Sequence, residues 1–163
     1  MIIRKHIESD KDELIRLIGR FRVKLAELKG VKKELDLKSA QEELAYYQHK
    51  KFPIFVAEDK ELNLIGYHVC RVEDDIIWSE SLYVVPEVRR RGIGTALYEK
   101  GELLVNEVGG ETLYNWVHPN NDISISFLKK RGYDVLNLIE IRRKRLDEKF
   151  TQEINVGRNK FNY

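Results

Sequence analysis

The chain has one cysteine, one methionine and three prolines in 163 residues. With Cys70 alone, no disulfide can close within the chain, and neither a Cys-x-x-Cys redox pair nor a Cys/His zinc pattern exists. The four histidines, at positions 6, 49, 68 and 118, show no metal-ligand spacing. No apolar run approaches the roughly 20 residues that a membrane-crossing helix needs. The opening Met1-Ile2-Ile3-Arg4-Lys5-His6 lacks the apolar core and the small-residue cleavage site of a secretory leader. An excess of one charge is missing as well. Lys and Arg number 29 against 27 Asp and Glu, a net of +2, which argues against the strong positive field of a nucleic-acid or anionic-membrane binder. The expectation is a cytoplasmic protein that engages neither nucleic acid nor membrane.

What is present is ordinary globular material: 42% hydrophobic, 34% charged and 10% aromatic residues, enough to build a core without a metal or disulfide staple. Pro53, Pro86 and Pro119 each sit beside a strand-like run, and no repeat, low-complexity stretch or linker is visible. The sequence therefore predicts one domain over residues 1–146 and a charged, partly ordered tail over 147–163.

Ile2-Ile3 opens a short strand. Leu14, Ile18, Phe21, Leu25 and Leu28 are spaced 4, 3, 4 and 3 residues apart, which is one face of a helix over about 11–29. Ser39 and Glu42 match a capping box and predict a second helix from about Ser39 to Lys50. Strand-like runs follow at 54–57, 64–72 and 76–85, joined by short polar turns as in an antiparallel meander. A helix over 92–108 ends at Gly109-Gly110. Then come a strand over 112–117, a short helix over 122–131 and a strand-like run over 133–142. The order β-α-α-β-β-β-α-β-α-β belongs to an α/β (α+β) protein with a mixed sheet. The strand–helix–strand crossover between 76 and 117 calls for a parallel or splayed pair there.

The segment Ser81-Leu82-Tyr83-Val84-Val85-Pro86-Glu87-Val88-Arg89-Arg90-Arg91-Gly92-Ile93-Gly94-Thr95 carries the chemistry. A strand runs into a basic, glycine-containing turn and then into a helix. The first amides of a helix have no intrahelical acceptor, and the helix dipole places partial positive charge there. Glycines let a ligand approach that backbone, and three arginines add charge, so the construction suits a diphosphate. A nucleotide P-loop is excluded, because no Gly-x-x-x-x-Gly-Lys-Ser/Thr run exists. The dinucleotide fingerprint is excluded too, because Leu97 stands where its third glycine belongs.

Taken whole, the segment resembles the acetyl-CoA site of the GCN5-related N-acetyltransferase (GNAT) family. Arg89-Arg90-Arg91-Gly92-Ile93-Gly94 fits that family's Arg/Gln-x-x-Gly-x-Gly/Ala turn between its fourth strand and third helix. Leu82-Tyr83-Val84-Val85-Pro86-Glu87 fits the strand before it, and Asn121 and Phe127-Leu128-Lys129-Lys130-Arg131-Gly132-Tyr133 fit the elements after it. The resemblance covers roughly residues 2–142. It implies a splayed central sheet flanked by helices, and direct transfer of an acetyl group from acetyl-CoA to a primary amine.

On this resemblance, Arg89, Arg90, Arg91, Gly92, Ile93, Gly94 and Thr95 hold the pyrophosphate. The backbone of Leu82, Tyr83 and Val84 pairs with the pantetheine arm, the Val84 amide polarises the thioester carbonyl, and Asn121 contacts the arm. The general base stays open among Glu80 on the fourth strand, His118 and water. The family's usual acid, a Tyr seven residues after the Asn, is replaced by Leu128. Water, Tyr83 or Tyr133 takes its place, or no acid is needed. The expected acceptor is a small-molecule or peptide amine, no metal is expected, and a homodimer is an open possibility. The missing acid also supports a rival reading, a non-catalytic module that binds acyl-CoA.

Overall fold

In the computed structural model, residues 1–150 and 152–162 are described. They fall into two compact units, Met1–Phe127 and Leu128–Tyr163. The first unit holds a five-stranded sheet in the order β1-β2-β3-β4-β5, with β1 (Ile2–Lys5), β2 (Ile54–Glu58), β3 (Leu64–Glu73), β4 (Ile76–Val84) and β5 (Leu113–Asn115). The first four strands are antiparallel neighbours. β5 lies parallel to β4, as the intervening helix requires.

Period-two alternation sends the two faces of the sheet to different helices. On one face Ile54, Val56, Tyr67, Val69 and Tyr83 pack with Leu14, Leu17 and Ile18 of α1 (Lys11–Glu27) and with Ala40, Leu44 and Tyr47 of α2 (Leu37–His49). On the other face lies α3 (Ile93–Val108). At Gly101 of α3 an added Cβ would stand 2.7 Å from His68 Cε1 and 2.9 Å from Leu113 Cδ2, so glycine is what lets this helix come down on β3 and β5. Because β3 is covered on both sides, it reads as a nearly unbroken buried run. Ion pairs tie the pieces together. Arg4 bridges Asp10 and Glu58, Arg22 of α1 pairs with Glu43 of α2, and Glu13 accepts the Leu64 amide at 2.7 Å.

Three expectations need correction. The capping residue of α2 is Asp36, not Ser39. Asp36 Oδ1 accepts the Ser39 amide at 3.0 Å, and Ser39 lies inside the first turn. Residues 133–142 form no strand: Val135 is 86% exposed and Leu138 78%, and the segment has no ladder partner among the described residues. A strand without a partner leaves its backbone polar groups to water. The tail is more ordered than its charge suggested. β6 (Glu153–Val156) and β7 (Asn159–Asn162) form a hairpin whose two-residue loop opens with Gly157 at φ +60°. Earlier in the chain, α4 (Asp122–Lys130) matches its predicted span to within one residue. No described helix is long and apolar enough to cross a membrane.

His68 is fully buried between β4 and α3. Its Nδ1 lies 3.0 Å from the Leu97 carbonyl, which can only accept, so Nδ1 carries the hydrogen, while Nε2 meets the Ser79 hydroxyl at 2.9 Å. Burial pushes the imidazole down to about 4 from its usual 6.5. An unfolded chain therefore takes up a proton below pH 6.5 that the native state refuses until about pH 4. Native stability is undiminished by this group above pH 6.5 and declines as pH falls through that window, by roughly 3 kcal/mol. Urea midpoints measured from pH 7 to pH 4.5 are expected to fall more steeply for the native protein than for His68→Gln; equal slopes would clear the histidine.

Candidate functional site

β4 is partnered along its whole length by β3, but by β5 only at Ile77, Trp78 and Ser79. Past Ser79 and Asn115 the two parallel strands part, and one edge of β4 from Glu80 to Val84 has no neighbouring strand. The register with β3 shifts at the same place. Val69 faces Ser81 and Cys70 faces Ser79, so Glu80 is the extra residue of a β-bulge.

The ladder shows which backbone groups meet the gap. The Val85 amide donates to Ile65 O at 3.0 Å, which brackets Gly66 and Val84 as a non-hydrogen-bonded pair. The amide and carbonyl of Val84 therefore point away from β3, as do those of Leu82 by alternation. Tyr83 does not share this arrangement. Its own amide and carbonyl face β3, and its ring is 3% exposed against Phe21 and Tyr67. Of Leu82, Tyr83 and Val84, the first and last turn their backbone polar groups to the gap and Tyr83 does not. The Val84 carbonyl is already engaged by Arg89 Nε at 2.8 Å, while the guanidinium lies 5.6 Å above the Tyr83 ring. Arg89 thus folds back to pin the end of β4, and Arg90 and Arg91 remain exposed on the turn.

The turn reaches α3 through two left-handed residues, Arg90 at φ +64° and Gly92 at φ +81°. Gly92 holds the N-cap position with no side-chain cap, so the first-turn amides of Ile93, Gly94 and Thr95 are supplied with no acceptor by a capping side chain. The two glycines of the turn are there for different reasons. Gly92 is demanded by its backbone angle. At Gly94 the backbone is ordinary, and an added Cβ would meet only Val84 Cγ2 at 3.8 Å and Phe127 Cε2 at 4.0 Å, which is plain van der Waals contact. Folding has no need of glycine at 94.

Glu80 is one-quarter exposed and faces the α1 side of the sheet, with Oε2 3.7 Å from Arg71 Nε. Arg71 in turn lies 5.1 Å from the Trp78 ring and 4.5 Å from the Trp116 ring. Trp78, Tyr114 and Trp116 form a ring wall with centroids 4.8–5.0 Å apart. The sequence reading missed this wall. Its signal was there, because Trp78-x-Glu80 and Tyr114-x-Trp116 each place alternate residues on one face. His118 lies beyond β5, where its Nδ1 accepts the Asn120 amide at 3.3 Å; burial first, and then Lys29, hold the imidazole below its usual range. Asn120 Nδ2 donates to Leu28 O at 3.0 Å, fastening this loop to the end of α1. Asn121 Oδ1 accepts the Ser124 amide at 3.2 Å and so caps α4, which leaves its Nδ2 to donate elsewhere. Leu128 is a buried residue of α4. Cys70 is buried, and its thiol is pushed up to about 12, which removes it as a nucleophile. No cluster of metal-ligating residues occurs among the described residues.

Above Tyr83 and Pro86 a cleft of about 260 Å³ opens against α1, rimmed by Arg20, Lys24 and Lys33.

A protein-family model described as the acetyltransferase (GNAT) family matches residues 23–133. Solved structures share the architecture. One is an aminoglycoside antibiotic 6'-N-acetyltransferase from Acinetobacter haemolyticus, with a TM-score of 0.72 and 16% identity, covering 90% of this chain and 100% of that one. The enzyme AAC(6')-Iy, in complex with the bisubstrate analogue CoA-S-monomethyl-acetylneamine, gives 0.72 and 16% over 88% of this chain and 97% of that one. A protein from Pyrococcus furiosus described as a putative acetyl transferase gives 0.67 and 22% over 88% and 99%. No curated protein sequence matches the chain.

Because only Gly92 is held by its backbone angle, Gly92→Ala is expected to cost about 1 kcal/mol of stability. Gly94→Ala is expected to leave stability unchanged or slightly raised. Chemical denaturation of the two variants side by side reads the difference.

Proposed function

We propose, from the premise that the chain belongs to the acetyltransferase (GNAT) family, that it passes an acetyl group directly from acetyl-CoA to a primary amine on a small molecule. Acetyl-CoA is the family's donor; when bound it supplies an activated acyl group on a thiol leaving group. The observation that carries the reading is the unpaired edge of β4, which ends at an uncapped helix start where glycine is kept without any folding reason. A side chain bulkier than alanine's at this position would stand where a diphosphate laid on the α3 amides comes close.

In this reading the amides from Arg90 to Thr95 and the Thr95 hydroxyl hold the diphosphate, and Arg90 and Arg91 screen its charge. Leu82 and Val84 offer outward amides and carbonyls that hydrogen-bond an extended arm as a further strand would. With its carbonyl held by Arg89, Val84 keeps its N–H for the thioester oxygen, where negative charge gathers as the amine attacks. Asn121 Nδ2 reaches the arm from the start of α4.

Glu80 removes the proton from the amine, directly or through one water. The bulge swings its carboxylate onto the acceptor face at the point where β4 leaves β5. His118, kept neutral by its surroundings, is the second group able to take a proton there. Leu128 occupies the position of the family's acid, and a thiol with a pKa of about 8.5 leaves as thiolate without one. The acceptor class is supported by the likeness in fold to enzymes whose names specify small amine-bearing molecules.

Two measurements test this. Glu80→Gln is expected to lower kcat by roughly 100-fold while CoA affinity by calorimetry stays within about twofold; unchanged turnover from pH 6 to 9 would remove Glu80 from the mechanism. Gly94→Leu is expected to weaken CoA binding by about tenfold or more. Tight CoA binding with no thiol release from any amine would instead establish a binding module.

A further inference from the structure

The wall beside Glu80 has chemistry the transfer reaction alone does not explain. The chain contains two tryptophans, and both are in it. Arg71 covers one face of the Trp116 indole at 4.5 Å, yet Trp116 is still 67% exposed. Arg71 itself is only 16% exposed, and its Nε has no hydrogen-bond partner, since Glu73 and Glu80 both stand at 3.7 Å. The guanidinium, paired with Glu73 and Glu80 and stacked on both indoles, acts as a spacer that keeps the Trp116 ring standing off the sheet. The ring stands two residues past Tyr114, where β5 leaves β4, and so borders the gap.

Given the acetyl-transfer reading above, on which this rests, we propose that Trp116 is the acceptor platform and that the acceptor is an amine carried on an aromatic ring. The ring stacks on the open face of Trp116, and the short chain bearing the amine reaches toward Glu80. The local charges offset one another, Arg71 against Glu73 and Glu80, so stacking on the ring rather than charge selects the acceptor.

Because no tryptophan lies elsewhere, intrinsic fluorescence reports on this wall directly. With the enzyme saturated in CoA, so that no transfer occurs, 2-phenylethylamine is expected to give a saturable change in emission. Ethanolamine and the polyamine spermidine at equal concentration are expected to give little. With acetyl-CoA, kcat/KM for 2-phenylethylamine is expected to exceed that for ethanolamine by at least about tenfold. Trp116→Leu is expected to cut that ratio by at least tenfold and Trp116→Phe to restore most of it, with CoA affinity unchanged in both. Trp116 is exposed and carries little of the core, and the remaining Trp78 emission and the denaturation midpoint verify the fold of each variant. A ratio unaltered in Trp116→Leu, or a preference for spermidine over 2-phenylethylamine, would overturn the platform while leaving acetyl transfer intact. Absence of CoA binding altogether would overturn the transfer reading first.

Discussion

The parting of β4 from β5 is the constraint on which the rest of this molecule depends. Parallel strands joined by a helix normally pair along their common length, because each unpaired amide and carbonyl forfeits a hydrogen bond. Here pairing stops after three residues, at Ser79 and Asn115. Two local features accompany the break. The bulge at Glu80 bends and twists β4 where its partner is lost. On the other side, Asn115 turns its Nδ2 to the Tyr98 hydroxyl and to its own neighbour's Leu113 carbonyl, which binds the end of β5 toward α3. Polar groups are thereby exposed along one edge, in a chain that elsewhere covers β3 on both faces.

Glycine use in the first unit follows from the same geometry, and it separates packing from ligand contact. Gly66 lies opposite Val84, where a Cβ would come within 2.8 Å of the Tyr83 carbonyl, and Gly101 lets α3 settle on His68 and Leu113. Both are needed for the sheet and helix to approach. Gly92 is needed for a left-handed turn. Gly94 alone meets no such demand, and it sits on the first turn of a helix with no side-chain cap, against Val84 at the end of the open strand. A small residue without a folding reason, beside backbone donors, is the feature on which the proposed diphosphate site rests.

Much of this was legible in the sequence. The helical stripe from Leu14 to Leu28, the meander from 54 to 85 and the glycine-bounded α3 carry strong periodicities, and each formed close to its expected limits. The turn from Arg89 to Thr95 was legible because its residue types are few and ordered. What the sequence concealed depends on tertiary contact. Val135, Leu138 and Ile141 have strand-forming chemistry but find no ladder, and intrinsic preference alone does not make a strand. Asp36 won the cap of α2 from Ser39 because both carboxylate oxygens engage Ser39, a competition local spacing does not settle. The direction of Arg89, back onto Val84, was likewise invisible in a run of three arginines.

The acceptor side shows why likeness in fold stops short of substrate. The sheet is built from backbone geometry, so its architecture persists at 16–22% identity. The wall of Trp78, Tyr114 and Trp116 is built from side chains, which a likeness in fold does not fix. Arg71 meets Glu73 and Glu80 at 3.7 Å and stacks on both indoles, so its charge is balanced while its plane supports the Trp116 ring. Trp116 nevertheless stands 67% exposed, and that open face, at the edge where the strands divide, is what the proposed aromatic acceptor would stack on.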